Sequence, residues 1–131
     1  MATINTIAIA AKNVKSVDVG VYNINGKPVL PAAPNADRIV LFTAPHGIRV
    51  SSVHLKVPAT LGANATLKVQ KNSGGVYTDA SATTTAATAG VVTGATTGPF
   101  DLAAGDSIEL LVGGGALTSG QVEYDILCQH A

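Results

Sequence analysis

The chain has 131 residues, of which 47% are hydrophobic and 12% are charged, and its eight basic and eight acidic residues cancel at neutral pH. The length suits one domain, and a charged fraction about half of the usual ~25% favours packing against other protein over an isolated life in solvent. No segment approaches the ~20 apolar residues of a membrane-spanning helix, and no basic segment followed by an apolar run marks export, so we predict no membrane partner and synthesis in a cytoplasm.

The charges are distributed unevenly along the chain. Every Lys and Arg lies between Lys12 and Lys71, whereas from Asn72 onward there are six acids and no basic residue. Such asymmetry can mark a nucleic-acid arm, but here the basic residues are spread singly and lack an aromatic stacking platform, so we predict no nucleic-acid partner. Two interpretations remain. Either antiparallel strand pairing brings the two halves of one chain together so that their charges cancel, or the basic half of one subunit contacts the acidic half of the next.

The first residues alternate loosely. Ile7 and Ile9 are in phase, and no turn signal folds the segment back, so residues 1–11 are predicted to form an N-terminal arm or an edge strand. Residues 12–131 are predicted to form the domain. Its first strand is Val14–Tyr22.

Turn residues follow this strand. Asn25-Gly26 favours a tight turn, because both residues tolerate positive φ. Three prolines then lie within Lys27–Asp37, and proline cannot donate to a β-ladder, so this segment is predicted to be an edge or an exposed loop.

The segment Arg38–Thr43 differs from the other predicted strands, because the run Ile39–Phe42 within it is apolar without alternation. A strand that is apolar on both faces is covered on both faces. The second cover is either another part of this chain or a neighbouring subunit.

The next strand changes phase. It alternates from Ile48 to Val50 and resumes from Val53 to Val57 with its apolar face displaced by one residue. One extra residue at Ser51-Ser52 would restore the face, so we predict a β-bulge or a strand break there.

The rest of the chain contains short strands at a spacing of roughly 8–12 residues with turn residues between them, which is typical of a sandwich or barrel. The Ala-, Thr- and Gly-rich stretch Asp79–Thr97 is predicted to be mostly loop. The predicted strands are Ala65–Lys71, Val76–Tyr77, a weak strand near Gly90–Thr93, Thr96–Leu102, Ser107–Val112 and Gln121–Gln129. The sequence therefore predicts an all-β fold: a single antiparallel β-sandwich, jelly-roll-like, with an N-terminal arm or edge strand and almost no helix.

Catalytic and metal-site patterns are not evident. The serines lie in turns without a strained strand-to-helix elbow, and the three histidines lack the paired spacing of a zinc site. Cys128 is in phase with Tyr124 and Ile126, which indicates a small buried apolar group. Asp101 and Asp106 flank a turn, where bonding to local N–H groups is favoured over calcium binding. We predict no enzyme activity, no catalytic residues, no metal and no cofactor.

Three segments carry a family resemblance: Thr43–Val57, Ala65–Lys71 and the turn-and-strand stretch Asp101–Leu110. They resemble small β-sandwich structural proteins of tailed bacteriophages, in particular the capsid decoration, or cement, proteins, over about residues 38–129. The resemblance implies a homotrimer that sits on the outside of an assembled icosahedral shell and bridges and stabilises the major capsid protein subunits. It also implies a location at the capsid surface of the virion, with synthesis in the host cytoplasm.

The residues suggest how such binding would work. The isoleucines of the arm would add a strand to the sheet edge of a capsid protein, where backbone bonds give affinity and alternate side chains fill pockets. The strand around Ile39–Phe42 would supply a threefold contact. The predicted partner-binding residues are Ile4, Ile7, Ile9, Val40, Phe42 and His46.

Two other classes of function remain. One is a receptor- or glycan-binding β-sandwich of a phage fibre or tail, and the other is a structural sandwich from a non-viral assembly. Sugar-binding sandwiches usually present exposed Trp and Tyr, and this chain has no Trp and three Tyr.

Overall fold

The computed structural model describes residues 3–5, 21–81, 83–92 and 99–130. The predictions for Ile7, Ile9, most of the strand Val14–Tyr22 and the start of the strand Thr96–Leu102 lie outside these residues.

The described residues form strands and no helix, which confirms the predicted all-β sandwich; the sheets do not close into a barrel. The strands are β1 Thr3–Asn5, β2 Val21–Gly26, β3 Val29–Leu30, β4 Arg38–Thr43, β5 Ile48–Val57, β6 Thr66–Ser73, β7 Val76–Asp79, β8 Thr84–Thr85, β9 Val91–Val92, β10 Phe100–Leu102, β11 Ser107–Gly113, β12 Gly120–Gln121 and β13 Glu123–His130.

Two sheets make up the sandwich. Sheet A has the order β1-β4-β11-β6-β7, with β8 beside β6, and sheet B has the order β10-β5-β13-β2, with β9 beside β5. The strands β3 and β12 form a small third sheet. Among the described strands, every pairing is antiparallel except that of β1 with β4, which is parallel.

The core lies between sheets A and B, because alternate residues of each strand point inward. Leu67 and Leu110 from sheet A and Leu55 and Ile126 from sheet B are among its fully buried side chains. Each such side chain stabilises the fold by about 1.5–3 kcal/mol relative to exposure. Cys128 is buried in the same core, as its phase indicated.

Both faces of strand β4 are covered by its own chain, because every residue from Arg38 to Phe42 is buried. The second cover predicted from the sequence is therefore part of this chain and not a neighbouring subunit. Its pairing with β11 skips Leu41, because Val40 pairs with Glu109 and Phe42 pairs with Ile108. This bulge places Leu41 and Phe42 together on the core side. The bulge explains why apolar and polar residues do not alternate in this part of the sequence.

The predicted irregularity at Ser51-Ser52 is a β-bulge. Val50 pairs with Cys128 and Ser52 pairs with Leu127, so Ser51 is the extra residue. The bulge restores the apolar face of β5, which runs unbroken through it.

The turn predicted at Asn25-Gly26 is wrong. Both residues lie inside β2, where they pair with Asp125 and Tyr124. A Cβ on Gly26 would lie 3.0 Å from the ring of Tyr124, so glycine is needed here for close packing rather than for a turn. The following segment contains the edge strand β3, but its Leu30 is fully buried, so the prediction of an exposed loop is wrong at that residue.

The strand pairing brings the basic and acidic halves of the chain together. Arg49 Nε lies 2.9 Å from Asp101 Oδ1, and Lys68 Nζ lies 3.3 Å from Asp79 Oδ2. The Arg49 hydrogen bond holds the pKa of the exposed Asp101 carboxyl below its usual range. Such exposed pairs contribute little to stability, so their effect is mainly to neutralise charge within the chain.

The hydroxyl of Tyr124 is buried in the core and has no hydrogen-bond partner among the described residues. Tyr124→Phe is expected to raise the free energy of unfolding by about 1 kcal/mol in urea denaturation, because an unmade buried hydrogen bond costs ~1–3 kcal/mol. Burial also raises the pKa of Tyr124. The Tyr124 hydroxyl therefore loses its proton at a higher pH in the folded chain than in the unfolded chain. The free energy of unfolding decreases as the pH rises above ~10 through the folded pKa.

Tyr124→Phe should accordingly reduce the loss of stability at alkaline pH. The control is Tyr77→Phe, because Tyr77 is partly exposed. An equal response to alkaline pH in wild type and Tyr124→Phe would contradict the assignment.

Candidate interaction surface

The outward side of sheet A carries polar side chains from four neighbouring strands. The register places Glu109 between Val40 and Gln70, and Gln70 opposite Asp79. We call this surface the polar face; its residues are Arg38, Gln70, Asn72, Tyr77, Asp79, Ser107 and Glu109.

Several polar-face residues are buried, although they lie on the outward side of a sheet. Glu109 is 1% exposed, and Arg38, Gln70 and Ser107 are also buried. Asp, Glu, Lys and Arg are almost never fully buried unless they are paired. The partners of Glu109 and Arg38 therefore decide what this face can do.

Within the described residues, Glu109 accepts hydrogen bonds through one of its two carboxylate oxygens. Its Oε2 accepts hydrogen bonds from Asn72 Nδ2 and Ser107 Oγ, each at 2.7 Å. Its Oε1 is buried and has no hydrogen-bond partner within the described ranges. An unpaired buried polar atom costs ~1–3 kcal/mol, and more when it is charged.

Arg38 extends across the sheet from β4 toward β7. Its Nη1 donates to Gln70 Oε1, and its guanidinium carbon lies 3.5 Å from the centroid of the Tyr77 ring. A stacked cation of this kind contributes ~0.5–2 kcal/mol, depending on how far it is desolvated. The Nε of Arg38 is buried without a partner in the part of the chain that is described.

Asp79 completes the network at the edge of the sheet. Gln70 Nε2 donates to Asp79 Oδ1 at 2.8 Å. This bond, opposed by partial burial and aided by Lys68, holds the pKa of the Asp79 carboxyl below its usual range. The stabilisation is present above the ordinary pKa of an aspartate and is lost as the pH falls through the lower folded value.

The β6–β7 hairpin presents apolar side chains beside this network. Gly74 and Gly75 have φ of 59° and 87°, and Asn72 Oδ1 accepts a hydrogen bond from the Gly75 backbone N–H at 2.9 Å. After this fixed turn, Val76 is 67% exposed and Tyr77 is 39% exposed. Exposed apolar groups on a rigid turn are ordered before binding, which lowers the entropy cost of a contact.

The structure places Ile4 in β1, where its backbone pairs with Ile39 of the same chain. The N-terminal segment therefore contributes an edge strand to sheet A at residues 3–5. Ile7 and Ile9 lie outside the described residues.

The other predicted contact residues lie in different environments. Val40 is 7% exposed and pairs with Glu109, whereas Phe42 is 2% exposed and belongs to the core. His46 is partly buried in the turn after β4, where its Nδ1–H donates to the Gly47 carbonyl oxygen at 3.1 Å. Only Val40 of these three lies beside the polar face.

Sequence reasoning missed Arg38, Tyr77 and Glu109 as members of one surface. Glu109 carried a signal, since it is the single charge in a strand that is otherwise mainly apolar. Arg38 and Tyr77 carried none, because they are far apart in sequence and only strand order brings them together.

The described residues offer no group of three or more His, Cys, Asp or Glu side chains placed to hold a metal ion. Nor does the described part contain a helix long and apolar enough to cross a membrane. What the structure does offer is a partly satisfied polar surface beside an exposed hairpin. Of this arrangement, the exposed hairpin with Val76 and Tyr77 is the part that another protein can reach, whereas Glu109 and Gln70 are buried.

Comparisons with known proteins show which solved structures have a similar fold. No family model and no curated protein matches the chain. A chain in the solved capsid of Ralstonia phage GP4 superposes with a TM-score of 0.70 at 16% identity, over 98% of this chain and 98% of that one. A chain in the capsid asymmetric unit of cyanophage Pam1 superposes with a TM-score of 0.56 at 14% identity, over 93% and 96% of the two chains.

The chain shares its fold with these two capsid chains. The similarity runs from end to end in each comparison, so the whole domain is shared rather than one hairpin or insert. At this level of identity the likeness concerns the fold, and no binding residue is transferred from it.

Proposed function

We propose that the protein is a non-enzymatic structural component of a phage virion, which binds the outside of the assembled capsid as a homotrimer and stabilises it by bridging capsid subunits. The observation that supports this best is the end-to-end fold similarity to a chain of the Ralstonia phage GP4 capsid. The resemblance of the turn-and-strand segments to decoration proteins points the same way.

The surfaces of the molecule fit this role. Ion pairs such as Arg49–Asp101 and Lys68–Asp79 neutralise charge within the chain, and the exposed β6–β7 hairpin offers apolar contacts to another protein. Weak contacts of this kind suffice on a shell, because many copies act together on one particle.

The N-terminal segment has a specific part in the proposal. We treat residues 1–11 as the arm and residues 12–131 as the sandwich domain. β1 forms an edge of sheet A, and Ile4, Ile7 and Ile9 of the arm are proposed to extend the strand pairing onto a capsid protein. Val40 and His46 are proposed as further contacts, with Phe42 supporting β4 from the core.

Binding to shells tests the proposal. The full-length protein should co-sediment with expanded empty capsids of the phage that encodes it and should raise their melting temperature in calorimetry. Failure to bind these shells would overturn the proposal, and retention on a glycan array or on host cells would favour the fibre or tail alternative.

The arm is tested by deleting residues 1–11. The shortened chain should lose shell binding while its unfolding transition remains cooperative, because the buried core described between sheets A and B is formed by side chains from Ile24 to Cys128. A chain of full length with Ile7→Ala and Ile9→Ala is the matched variant, and it should bind more weakly than wild type. Unchanged binding in both variants would refute the arm.

A further inference from the structure

The outward side of sheet B carries hydrogen-bond donors and carboxylates in two neighbouring lines. Strand β5 alternates buried and exposed residues, and its exposed side carries His54 and Lys56. Strand β13 carries Glu123 and Asp125 on the same side of the sheet, because Tyr124 between them points into the core. A line of donor side chains on β5 therefore runs beside a line of carboxylates on β13.

The strand register fixes the neighbours of each side chain on this surface, which we call face B. Its residues form three cross-strand pairs, which are Lys56–Glu123, His54–Asp125 and Ser52–Leu127. Leu127 is a partly exposed apolar side chain beside the small side chain of Ser52. Face B thus has an apolar group next to two polar rows, as protein interfaces with an apolar centre and a polar rim do.

The polar groups of face B are little used within the chain. In the part of the chain that the structure describes, the side chains of Lys56, His54 and Asp125 make no hydrogen bond or ion pair, and all three residues are exposed. Glu123 Oε1 lies 3.7 Å from Lys27 Nζ, and the Lys27 side chain is 69% exposed. Such an exposed pair contributes little, so face B can bind a second molecule.

We propose that face B packs against face B of a second copy of this chain, about a twofold axis that runs parallel to the strands between β5 and β13. This axis sets β5 of each copy over β13 of the other, with equivalent rows facing. Lys56 of each copy then meets Glu123 of the other. His54 donates to Asp125 of the other copy in the next row. Stacked sheets lie ~10 Å apart, a gap that two such side chains span together.

The apolar group of face B fits the same arrangement. Leu127 of each copy lies over Ser52 of the other, and the small serine side chain leaves room for the leucine. The contact also sets residues from the basic half of one chain against residues from the acidic half of the other. The charge distribution along the sequence is therefore consistent with a contact between copies.

Charge selects this axis over the other twofold arrangement of two stacked faces. An axis across the strands would set β5 over β5 and β13 over β13. With that axis midway along the face, Lys56 would face Arg49 of the second copy, and Asp125 would face Leu127. Like charges that face each other across an interface oppose association. The axis parallel to the strands avoids both mismatches.

The contact is small for a single pair of molecules. The four strands in the main path of sheet B lie ~4.8 Å apart, and the eight residues of β13 rise ~3.4 Å each, so the outward side covers roughly 400 Å² per copy. A standard interface buries about 800 Å² per partner. Association in solution is therefore expected at high protein concentration and low salt, because salt screens exposed charges.

Two charge-reversal variants test the contact. Lys56→Glu sets two acidic groups together at both symmetric contacts, and Glu123→Lys sets two basic groups together there. Each variant alone should self-associate at least tenfold more weakly than wild type in sedimentation equilibrium. An equimolar mixture of the two restores an acid–base pair at both contacts. The mixture should therefore associate at least tenfold more tightly than either variant alone.

Lys68→Glu and Asp79→Lys are the matched controls, because they make the same changes in net charge on sheet A. Each control should self-associate like wild type, and their mixture should associate no more tightly than wild type. The contact would be overturned by equal association of Lys56→Glu and Lys68→Glu, or by a Lys56→Glu and Glu123→Lys mixture no tighter than its components. A wild-type mass that stays constant up to millimolar concentration would overturn it as well.

The contact and the proposed function fail separately. The proposed trimer uses a threefold axis, so this twofold contact would join copies that belong to different trimers, and it is measured on the free protein. Association that follows the charge pattern in a protein unable to bind shells refutes the capsid role and keeps the contact. Shell binding by a protein whose charge variants associate alike refutes the contact and keeps the capsid role.

Discussion

Phe42→Ala is expected to lower the free energy of unfolding by about 3–5 kcal/mol, the usual cost of removing a buried phenylalanine. Phe42 is 2% exposed, and the bulge at Leu41 directs it into the core opposite Ile108. The sequence predicted Phe42 as a partner contact, whereas its packing in the structure is with its own chain.

The measurement is urea denaturation of Phe42→Ala beside Val76→Ala, an apolar truncation at an exposed position. Val76→Ala should stay within ~0.5 kcal/mol of wild type, as exposed substitutions usually do. A Phe42→Ala protein that is as stable as wild type but fails to bind its partner would reverse this assignment and make Phe42 a contact residue.

Gly62→Ala is expected to destabilise the fold by about 3 kcal/mol, because backbone strain and a steric clash add. Gly62 has a φ of 128°, and a Cβ there would lie 2.7 Å from the carbonyl oxygen of Ala116. The adjacent Leu61 holds two loops together, since its N–H donates to Ala86 and its carbonyl accepts from Thr118. Neither loop can move away without losing these bonds.

Gly74→Ala is the matched control for Gly62→Ala. Gly74 also has a positive φ, 59°, but a Cβ there would meet open space. It should cost only the backbone term of ~1–2 kcal/mol. Thermal and urea denaturation of both variants give the comparison, and equal losses would show that the contact between Gly62 and Ala116 is not close.

The period-two pattern was sufficient to predict most of the fold. It located β5, β6, β11 and β13 within a few residues, and the phase change at Ser51-Ser52 predicted a bulge or a break where the structure has a bulge. β4 was recognised instead by its run of apolar residues without alternation. These features depend on which side chains face the core, and that information is local in the sequence.

The errors arose where contacts across strands override local preference. Asn25-Gly26 has the chemistry of a turn, yet both residues pair with β13 in a strand, and the Tyr124 ring leaves no room for a side chain at Gly26. The sequence did not show that Phe42 packs in the core, because the Leu41 bulge that turns it inward depends on the pairing of β4 with β11.

The polar face was beyond sequence reasoning for a related reason. Arg38, Gln70, Tyr77 and Glu109 come from β4, β6, β7 and β11, and strand order is not encoded in turn signals. Alternation placed Glu109 on the outward side of its strand but gave no indication that it is buried there. The polar face is therefore a property of the topology.

We propose that this sandwich works on the outer surface of a phage capsid, and cryo-electron microscopy of purified particles from the phage that encodes the chain is the decisive experiment. We expect repeated density for sheets A and B on the outside of the shell, in contact with more than one capsid subunit. Particles that lack the chain, or that carry it only in the tail, would refute the capsid role.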